Sequence, residues 1–458
     1  MKTNTKKRLI WLAGGMILSA AVVLTAWNYY GFGEYARTAS ADYSRIEAAG
    51  FPLDAKSFAA SLAVPDDENN GRPLYDAFSS LDVEIKRLDA NSSRRDQTKY
   101  RPSELVSTID FNSPTKTLPA DAERADAFDS VRPHIEKVRA VSGRPHYVPE
   151  HDWNHPENAL FTDLSGYRMA VKILSAEATL LAKTGESERA IQNLELAQHL
   201  TNLIDDIPTA ISILVQYSGA SILSYAVIEC SQLDPANAPR YRAPLSDLKL
   251  SPGSRIFPGE AFFMASMARN LSLSDTIRMA NGNQEIPFSD AKKSAPLSDL
   301  DLPDDPLRRA YAGYAFRHWY EILRHMRPDG TVVDQSKLNA AIRTAENAVA
   351  SDTRPVAKSF RESLPLLTSY ATSYDRTLDH LAVAFAASQV AEYKHRTGKW
   401  PADLTAAGIS GQNAVTPASR VLGFAVKNGK AEVWSVRLLQ LRKKQGTPES
   451  KGELVVLR

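Results

Sequence analysis

Three histidines lie in a short polar segment bounded by prolines, at His146, His151 and His155. Imidazole nitrogens are common zinc ligands, and two neighbouring carboxylates, Glu150 and Asp152, add oxygen donors. The spacing argues against a metal site, because only His151 and His155 could share one face of a turn between the prolines. The alternative is a surface loop of polar and aromatic residues. The sequence therefore predicts no metal and no cofactor, with these histidines as the candidate ligands if a metal is bound.

A second group of nitrogen-bearing side chains lies on a predicted helix near residue 320. His318 and His325 occur there together with three arginines, Arg317, Arg324 and Arg327. Closely spaced cationic side chains could bind an anion. The alternative is that they form the polar edge of an amphipathic helix that packs through its aromatic residues.

Local signatures of hydrolases do not occur in the sequence. It contains no Gly-x-Ser-x-Gly segment and no His-Glu-x-x-His segment. Cys230 is the only cysteine, which excludes an intrachain disulfide and predicts a buried, inert thiol. Because catalytic groups can be dispersed along a chain, an enzyme is disfavoured without being excluded, and the sequence assigns no catalytic residue.

The N-terminal residues predict a membrane anchor. Lys2, Lys6, Lys7 and Arg8 precede an uncharged apolar run over residues 9–27. At ~1.5 Å per residue such a helix spans a hydrocarbon core of ~30 Å. The basic flank predicts a cytoplasmic N-terminus, with the remaining chain on the outer face of the membrane. In a bacterium this places a single-pass protein in the inner membrane, with most of the chain in the periplasm.

A cleaved signal peptide is the alternative interpretation of the same residues. Ala39-Ser40-Ala41 has the small-x-small pattern that signal peptidases accept. The apolar run is longer than that of a typical signal peptide, and residues 31–38 separate it from the candidate site. Retention of the anchor is therefore the favoured prediction.

Composition and charge indicate a folded, nearly neutral protein. Hydrophobic residues make up 43% of the 458 residues, and 55 basic side chains nearly balance 53 acidic ones. A net charge of +2 argues against the basic surface that a nucleic-acid partner needs, although basic residues can cluster within a neutral total. A nucleic-acid partner is therefore not expected.

Helical periodicity dominates the chain from residue 34 to residue 397. The clearest predicted helices span residues 121–141, 160–182 and 186–203, and a further helix has Pro208 in its first turn. The prolines between residues 235 and 258 predict repeated breaks. Small residues in the second and third of these helices, including Ala178, Ala190 and Ala197, make the pair similar to a tetratricopeptide hairpin. The alternative is an ordinary helical hairpin, because no second copy follows at the repeat period.

The C-terminal segment predicts a small antiparallel sheet. Two strand-like runs at residues 421–426 and 431–436 flank Asn428-Gly429, a dipeptide that favours tight hairpins. Residues 453–457 could add a third strand.

One pattern of residues links the last long helix to these strands. Its members are Tyr393, Gly398, Lys399, Trp400, Pro401, Leu404, Phe424, Trp434 and Ser435. The segment resembles the C-terminal part of type II secretion pseudopilins, which implies a helix that leads through a loop into a small sheet. The usual Asp-Pro of the loop is replaced by Thr416-Pro417, and no Gly-x-Asp follows Ser435 to supply calcium ligands. The N-terminus also lacks a pilin processing motif, so the resemblance implies shared local architecture rather than assembly into a pseudopilus.

The rest of the chain resembles membrane-anchored helical proteins of the bacterial envelope, in which a segment such as Glu68-Asn69 precedes a helix. That resemblance implies no activity. The predicted fold is mainly α, a tetratricopeptide-like helical-hairpin bundle behind one transmembrane helix with a small C-terminal sheet. The predicted parts are an anchor (1–30), an α-helical extracytoplasmic domain (31–380) and a pseudopilin-like segment (381–458). The predicted function is protein binding or scaffolding in the cell envelope, and the alternative is a membrane-tethered hydrolase.

Overall fold

The computed structural model describes eleven parts of the chain. They are residues 32–93, 100–109, 119–154, 162–206, 209–251, 256–270, 306–354, 357, 365–409, 421–436 and 454–457. Over these parts the protein is mainly helical, with a three-stranded antiparallel sheet near the C-terminal end. This confirms the predicted fold class at the level of secondary structure. The predicted membrane anchor lies outside the described residues.

The described elements follow one another in a simple order. The helices are α1 (Phe32–Ala48), α2 (Ala55–Ser61), α3 (Gly71–Ser93), α4 (Pro102–Leu105), α5 (Asp121–Val141), α6 (Thr162–Thr184), α7 (Ser187–Leu203), α8 (Ala210–Leu233), α9 (Ala238–Ser246), α10 (Ile256–Asn270), α11 (Pro306–Leu323), α12 (Gln335–Ser351) and α13 (Pro365–Thr397). The strands are β1 (Leu422–Lys427), β2 (Lys430–Ser435) and β3 (Leu454–Leu457).

Most of these elements surround one hydrophobic core, the large core, built by α3, α5 to α9, α13 and the sheet. Phe78 of α3 meets Tyr167 of α6 edge to face, with 5.9 Å between the ring centroids. The predicted apolar face of α5 is buried in the large core, from Phe128 to Val138. Each fully buried side chain of this size contributes about 2 to 3 kcal/mol through the hydrophobic effect.

A second cluster, the small core, joins α1 to α10, α11 and α12. Tyr35 and Tyr43 of α1 pack edge to face on Tyr314 and Phe316 of α11, at centroid distances of 4.8 Å and 5.3 Å. The two helices approach closely because α11 carries Gly313 at the contact. A Cβ atom on this residue would lie 2.0 Å from the Tyr35 carbonyl oxygen.

The C-terminal sheet has the order β1-β2-β3 and packs on the large core. Asn428 and Gly429 have φ angles of 52° and 72°, which a two-residue hairpin turn between twisted strands requires. The predicted hairpin and third strand are therefore confirmed. Trp400 donates a hydrogen bond from Nε1 to the Gly429 carbonyl oxygen at 2.8 Å and so ties the loop after α13 to the hairpin. Since α13 runs unbroken from residue 365 to 397, residues on both sides of position 380 contribute to one core.

Two predictions about proline were wrong. Helix α8 begins at Ala210, after Thr209, whose side chain caps it by accepting a hydrogen bond from the Ser212 amide. Pro208 therefore precedes the cap, and it lies outside the described residues. The expected breaks at Pro239 and Pro244 are instead part of α9. A proline in the first turn loses no helical hydrogen bond, and a second one near the end of a short helix loses a single bond.

Helix α8 is long and apolar enough to cross a membrane, and among the described helices it alone meets that test. In its most apolar window 67% of the residues are buried inside the protein. Cys230 lies on this helix and is buried, as the sequence predicted. Burial at this level identifies α8 as the central helix of the large core.

Candidate functional site

The histidine loop, which we define as residues 142–154, is held in place by two asparagines that precede α3. The Asn69 side chain accepts a hydrogen bond from the Val148 amide at 2.9 Å and donates one to the Val148 carbonyl oxygen at 3.0 Å. Asn70 donates from Nδ2 to the Arg144 carbonyl oxygen at 2.6 Å and accepts from the Arg144 amide at 3.3 Å. The side-chain amides add to a single main-chain β-bridge between Asn69 and His146, and together these bonds fix the loop without an extended sheet.

His146 lies between two carboxylates. Its Nδ1 is 3.3 Å from Asp206 Oδ2, and its Nε2 is 4.0 Å from Glu68 Oε2. Asp206 also accepts a hydrogen bond from the Tyr147 amide at 2.8 Å. Burial raises the pKa of Asp206, and the bonds from Tyr147 and His146 oppose that rise. Asp206 thus connects the histidine loop to the end of α7.

His151 faces a different environment from His146. Its ring meets the Trp153 ring edge to face at 5.1 Å, and burial lowers the pKa of the imidazole. The fully buried Asp163 accepts a 2.6 Å hydrogen bond from the Tyr147 hydroxyl. Burial is the larger cause, and the Asp163 carboxylate the smaller one, that raises the pKa of the Tyr147 hydroxyl. The phenol is therefore a donor and not a base.

The described part of the chain does not assemble the predicted metal candidates. His155 lies outside the described residues, and His146 and His151 have separate partners. Among the residues that the structure describes, no three His, Cys, Asp or Glu side chains form a group suited to a metal ion.

An open cleft of about 520 Å³ lies beside the histidine loop. Its walls come from the end of α1, from α2, from the start of α10 and from the turn at residues 328–329, with Asp206 at the boundary to the loop. Aromatic and aliphatic side chains line it, among them Phe51, Phe58 and Leu62. Phe58 stacks on Phe262 of α10 at 4.0 Å and meets Trp153 of the histidine loop at 5.0 Å. Phe58 therefore lines the cleft and also packs against the histidine loop.

Four carboxylates also line the cleft: Glu47, Asp54, Asp206 and Asp329. Asp54 caps α2 by accepting a bond from the Ser57 amide at 2.9 Å. Asp329 accepts a bond from the Thr331 amide at 2.8 Å, and this bond lowers the pKa of its carboxyl. No lysine, arginine or histidine is present among the described lining residues. The cleft is therefore apolar with negatively charged walls.

The arginines of the cationic group near residue 320 largely make contacts within the protein. Arg317 bonds Glu34 of α1 at 2.7 Å and lies over the Tyr35 ring at 4.7 Å. Arg324 pairs with Glu321 at 2.9 Å. His318 packs against the Tyr314 ring at 4.7 Å. Arg317 and His318 therefore belong to the packed helix α11, as the alternative expected, whereas Arg324, His325 and Arg327 follow the end of this helix at Leu323.

The environment of His318 predicts a pH-dependent stability. Burial, with Arg317 adding repulsion, lowers the pKa of His318 to about 4. In the unfolded chain a histidine takes up its proton near pH ~6.5. The unfolded state therefore binds more protons between these values, and stability should fall by about 2 kcal/mol as the pH falls from 6.5 to 4.

Urea unfolding of the full chain in mild detergent, followed across this pH range, measures the effect of His318. The His318→Gln variant should lose stability less steeply on acidification than the wild type. His395→Gln replaces an exposed histidine at the end of α13 and serves as the matched control. Equal pH slopes for the wild type and His318→Gln would contradict the prediction.

Sequence reasoning missed the residues that form the cleft, and it missed one hydroxyl–imidazole pair. The Oγ atom of Ser80 on α3 lies 3.0 Å from the Nδ1 atom of His134 on α5. The two residues are far apart in sequence and belong to no motif. The repeated Asn69-Asn70 before Gly71 was the one local signal, because side-chain amides next to a helix start often bond a neighbouring main chain.

No protein family model matches this chain, and neither the curated proteins nor the solved structures include a match to it. Its function must therefore be inferred from its own residues and geometry.

Proposed function

We propose that this chain is a single-pass protein of the bacterial inner membrane whose helical domain lies in the periplasm and binds another envelope protein. The open cleft beside the histidine loop is the observation that carries this proposal. A volume of about 520 Å³ is that of a small-ligand pocket, and it is large enough to receive an anchoring side chain of a partner protein. The tetratricopeptide-like hairpin and the pseudopilin-like end favour the same role, because both resemble protein-binding or assembly modules.

The structure of α1 supports a retained anchor. Cleavage after Ala41 would remove Tyr35 and Ala39, which are buried against α11. It would also remove Glu34, the partner of Arg317. The small core thus uses residues on the N-terminal side of the candidate cleavage site. The mass of the intact chain from native membranes should include residues 1–41, and a mature chain beginning at Asp42 would contradict the proposal.

Site-specific photo-crosslinking tests the binding site in native membranes. A photoreactive phenylalanine analogue replaces Leu62, a half-buried residue that lines the cleft. The matched control places the same analogue at Val83, an exposed residue of α3. We expect a discrete protein adduct from position 62 that is absent at position 83. Equal labelling at both positions, or none at position 62, would overturn the assignment of the cleft as the site that binds an envelope protein.

A membrane-tethered hydrolase is the second candidate, and the Ser80–His134 pair favours it. A hydroxyl hydrogen bonded to an imidazole is the geometry of an activated nucleophile. However, both residues lie inside helices, where main-chain amides are already bonded and cannot form an oxyanion hole. Labelling with a fluorophosphonate probe separates the candidates. Labelling that disappears in Ser80→Ala would support the hydrolase, and an unlabelled wild type would eliminate this pair.

A further inference from the structure

The cleft combines an apolar lining with charges of one sign. Phe51, Leu53, Phe58 and Leu62 provide hydrophobic surface, and Glu47, Asp54, Asp206 and Asp329 provide negative charge. A site of this kind fits a ligand with a cationic group next to apolar groups, because it offers both hydrophobic contact and electrostatic complementarity.

Three of the four carboxylates are fixed by bonds to the protein, whereas Glu47 is not. Asp54, Asp206 and Asp329 accept bonds from main-chain amides, which keeps them in place. Glu47 is exposed at the end of α1, and its carboxylate has no hydrogen bond or ion pair within the described residues. Its carboxylate is therefore available to a ligand without loss of an internal contact.

We propose that the cleft receives a lysine or arginine side chain, flanked by apolar residues, from the partner protein. This inference rests on the proposed function and adds the chemistry of the bound segment. A cationic side chain would place its charged group among the carboxylates and its neighbours against Phe58 and Leu62. The alkyl stem of lysine or arginine suits such a mixed site, since it is apolar along its length.

Two other classes of ligand fit less well. A bare divalent cation needs several donors close together, and no such group of three exists among the described residues. A lipid surface is disfavoured because anionic headgroups would be repelled by the four carboxylates.

The position of the cleft agrees with a protein ligand. Helix α1 has 17 residues and is about 25 Å long, and Glu47 lies at the end opposite to the proposed anchor.

Fluorescence anisotropy with short labelled peptides tests the inference on the full chain in mild detergent. The probes are heptapeptides with Leu-Lys-Leu, Leu-Arg-Leu, Leu-Gln-Leu or Leu-Glu-Leu between Gly-Ser ends. We expect the Lys and Arg peptides to bind about tenfold more tightly than the Gln peptide, with an affinity that falls as salt is added. The Glu peptide should bind most weakly.

A charge-neutralising variant identifies the site. Glu47→Gln should weaken binding of the Lys and Arg peptides about fivefold and leave the Gln peptide unchanged. Glu195→Gln makes the same change on the exposed face of α7 and should alter none of the affinities. A thermal melt of each variant verifies that the fold is retained.

The outcomes separate this inference from the proposed function. A discrete adduct at position 62 together with equal affinities for the Lys and Gln peptides would overturn the cationic ligand and leave protein binding supported. Peptide binding that depends on Glu47, with no adduct at position 62, would support the cationic site and overturn the envelope partner. Loss of affinity in Glu195→Gln as large as that in Glu47→Gln would also overturn the inference.

Discussion

Replacing Gly313 with alanine should destabilise the small core by about 3 kcal/mol, because the added methyl group meets backbone atoms that cannot rotate away. The Cβ atom would lie 2.0 Å from the Tyr35 carbonyl oxygen and 3.0 Å from the Ala39 Cβ atom. In an isolated helix the same change would be favourable by about 1 kcal/mol. A loss of stability can therefore be attributed to the contact between α1 and α11.

Urea unfolding of the full chain in mild detergent measures the effect of the Gly313 variant. Gly143→Ala is the matched control, since a Cβ atom on Gly143 meets nothing within 4 Å. We expect a lower midpoint for Gly313→Ala and an unchanged midpoint for Gly143→Ala. If the two variants unfold at the same urea concentration, the close packing of α1 on α11 is wrong. Because α1 follows the proposed anchor in the sequence, such a result would also weaken the argument for a retained N-terminus.

Helix and hairpin positions were predictable because their signals are local. The apolar periodicity of α5 is visible within a single segment, and so are the residues that end α6 and begin α7. The Asn428-Gly429 turn is equally local, because its backbone angles favour those two residues. The missed start of α8 has a local cause as well. Thr209 is a good N-cap, and its capping bond decided the boundary in place of Pro208.

The candidate site was not predictable because it depends on contacts between distant segments. The cleft joins residues of α1 and α2 to Asp206 and to the turn at residues 328–329. Each carboxylate alone resembles an ordinary surface charge. The pairing of Arg317 was not predictable for the same reason. The availability of Arg317 depends on Glu34, which is 283 residues away in the sequence.

Asn69 and Asn70, which hold the histidine loop and which we call the asparagine clamp, give the second large effect. Asn70 is 1% exposed, and its side chain bonds both the amide and the carbonyl of Arg144. Replacing Asn70 with alanine should remove both hydrogen bonds, each worth about 0.5 to 1.5 kcal/mol, and cost about 1 to 3 kcal/mol in all. Asn347→Ala changes an exposed asparagine of α12 and should have little effect.

Hydrogen exchange locates the loss in the Asn70 variant. The amides of Arg144, His146 and Val148 are bonded to the segment around Asn70, so their exchange should accelerate first. Release of this segment would also free Asp206 from the Tyr147 amide, since the amide belongs to the same loop. The cleft would then lose one fixed carboxylate, and binding of the Lys peptide should weaken together with the protection of Val148. Protection that stays at the wild-type level in Asn70→Ala would show that the histidine loop is held by other contacts, and Asp206 would then remain in the cleft without the clamp.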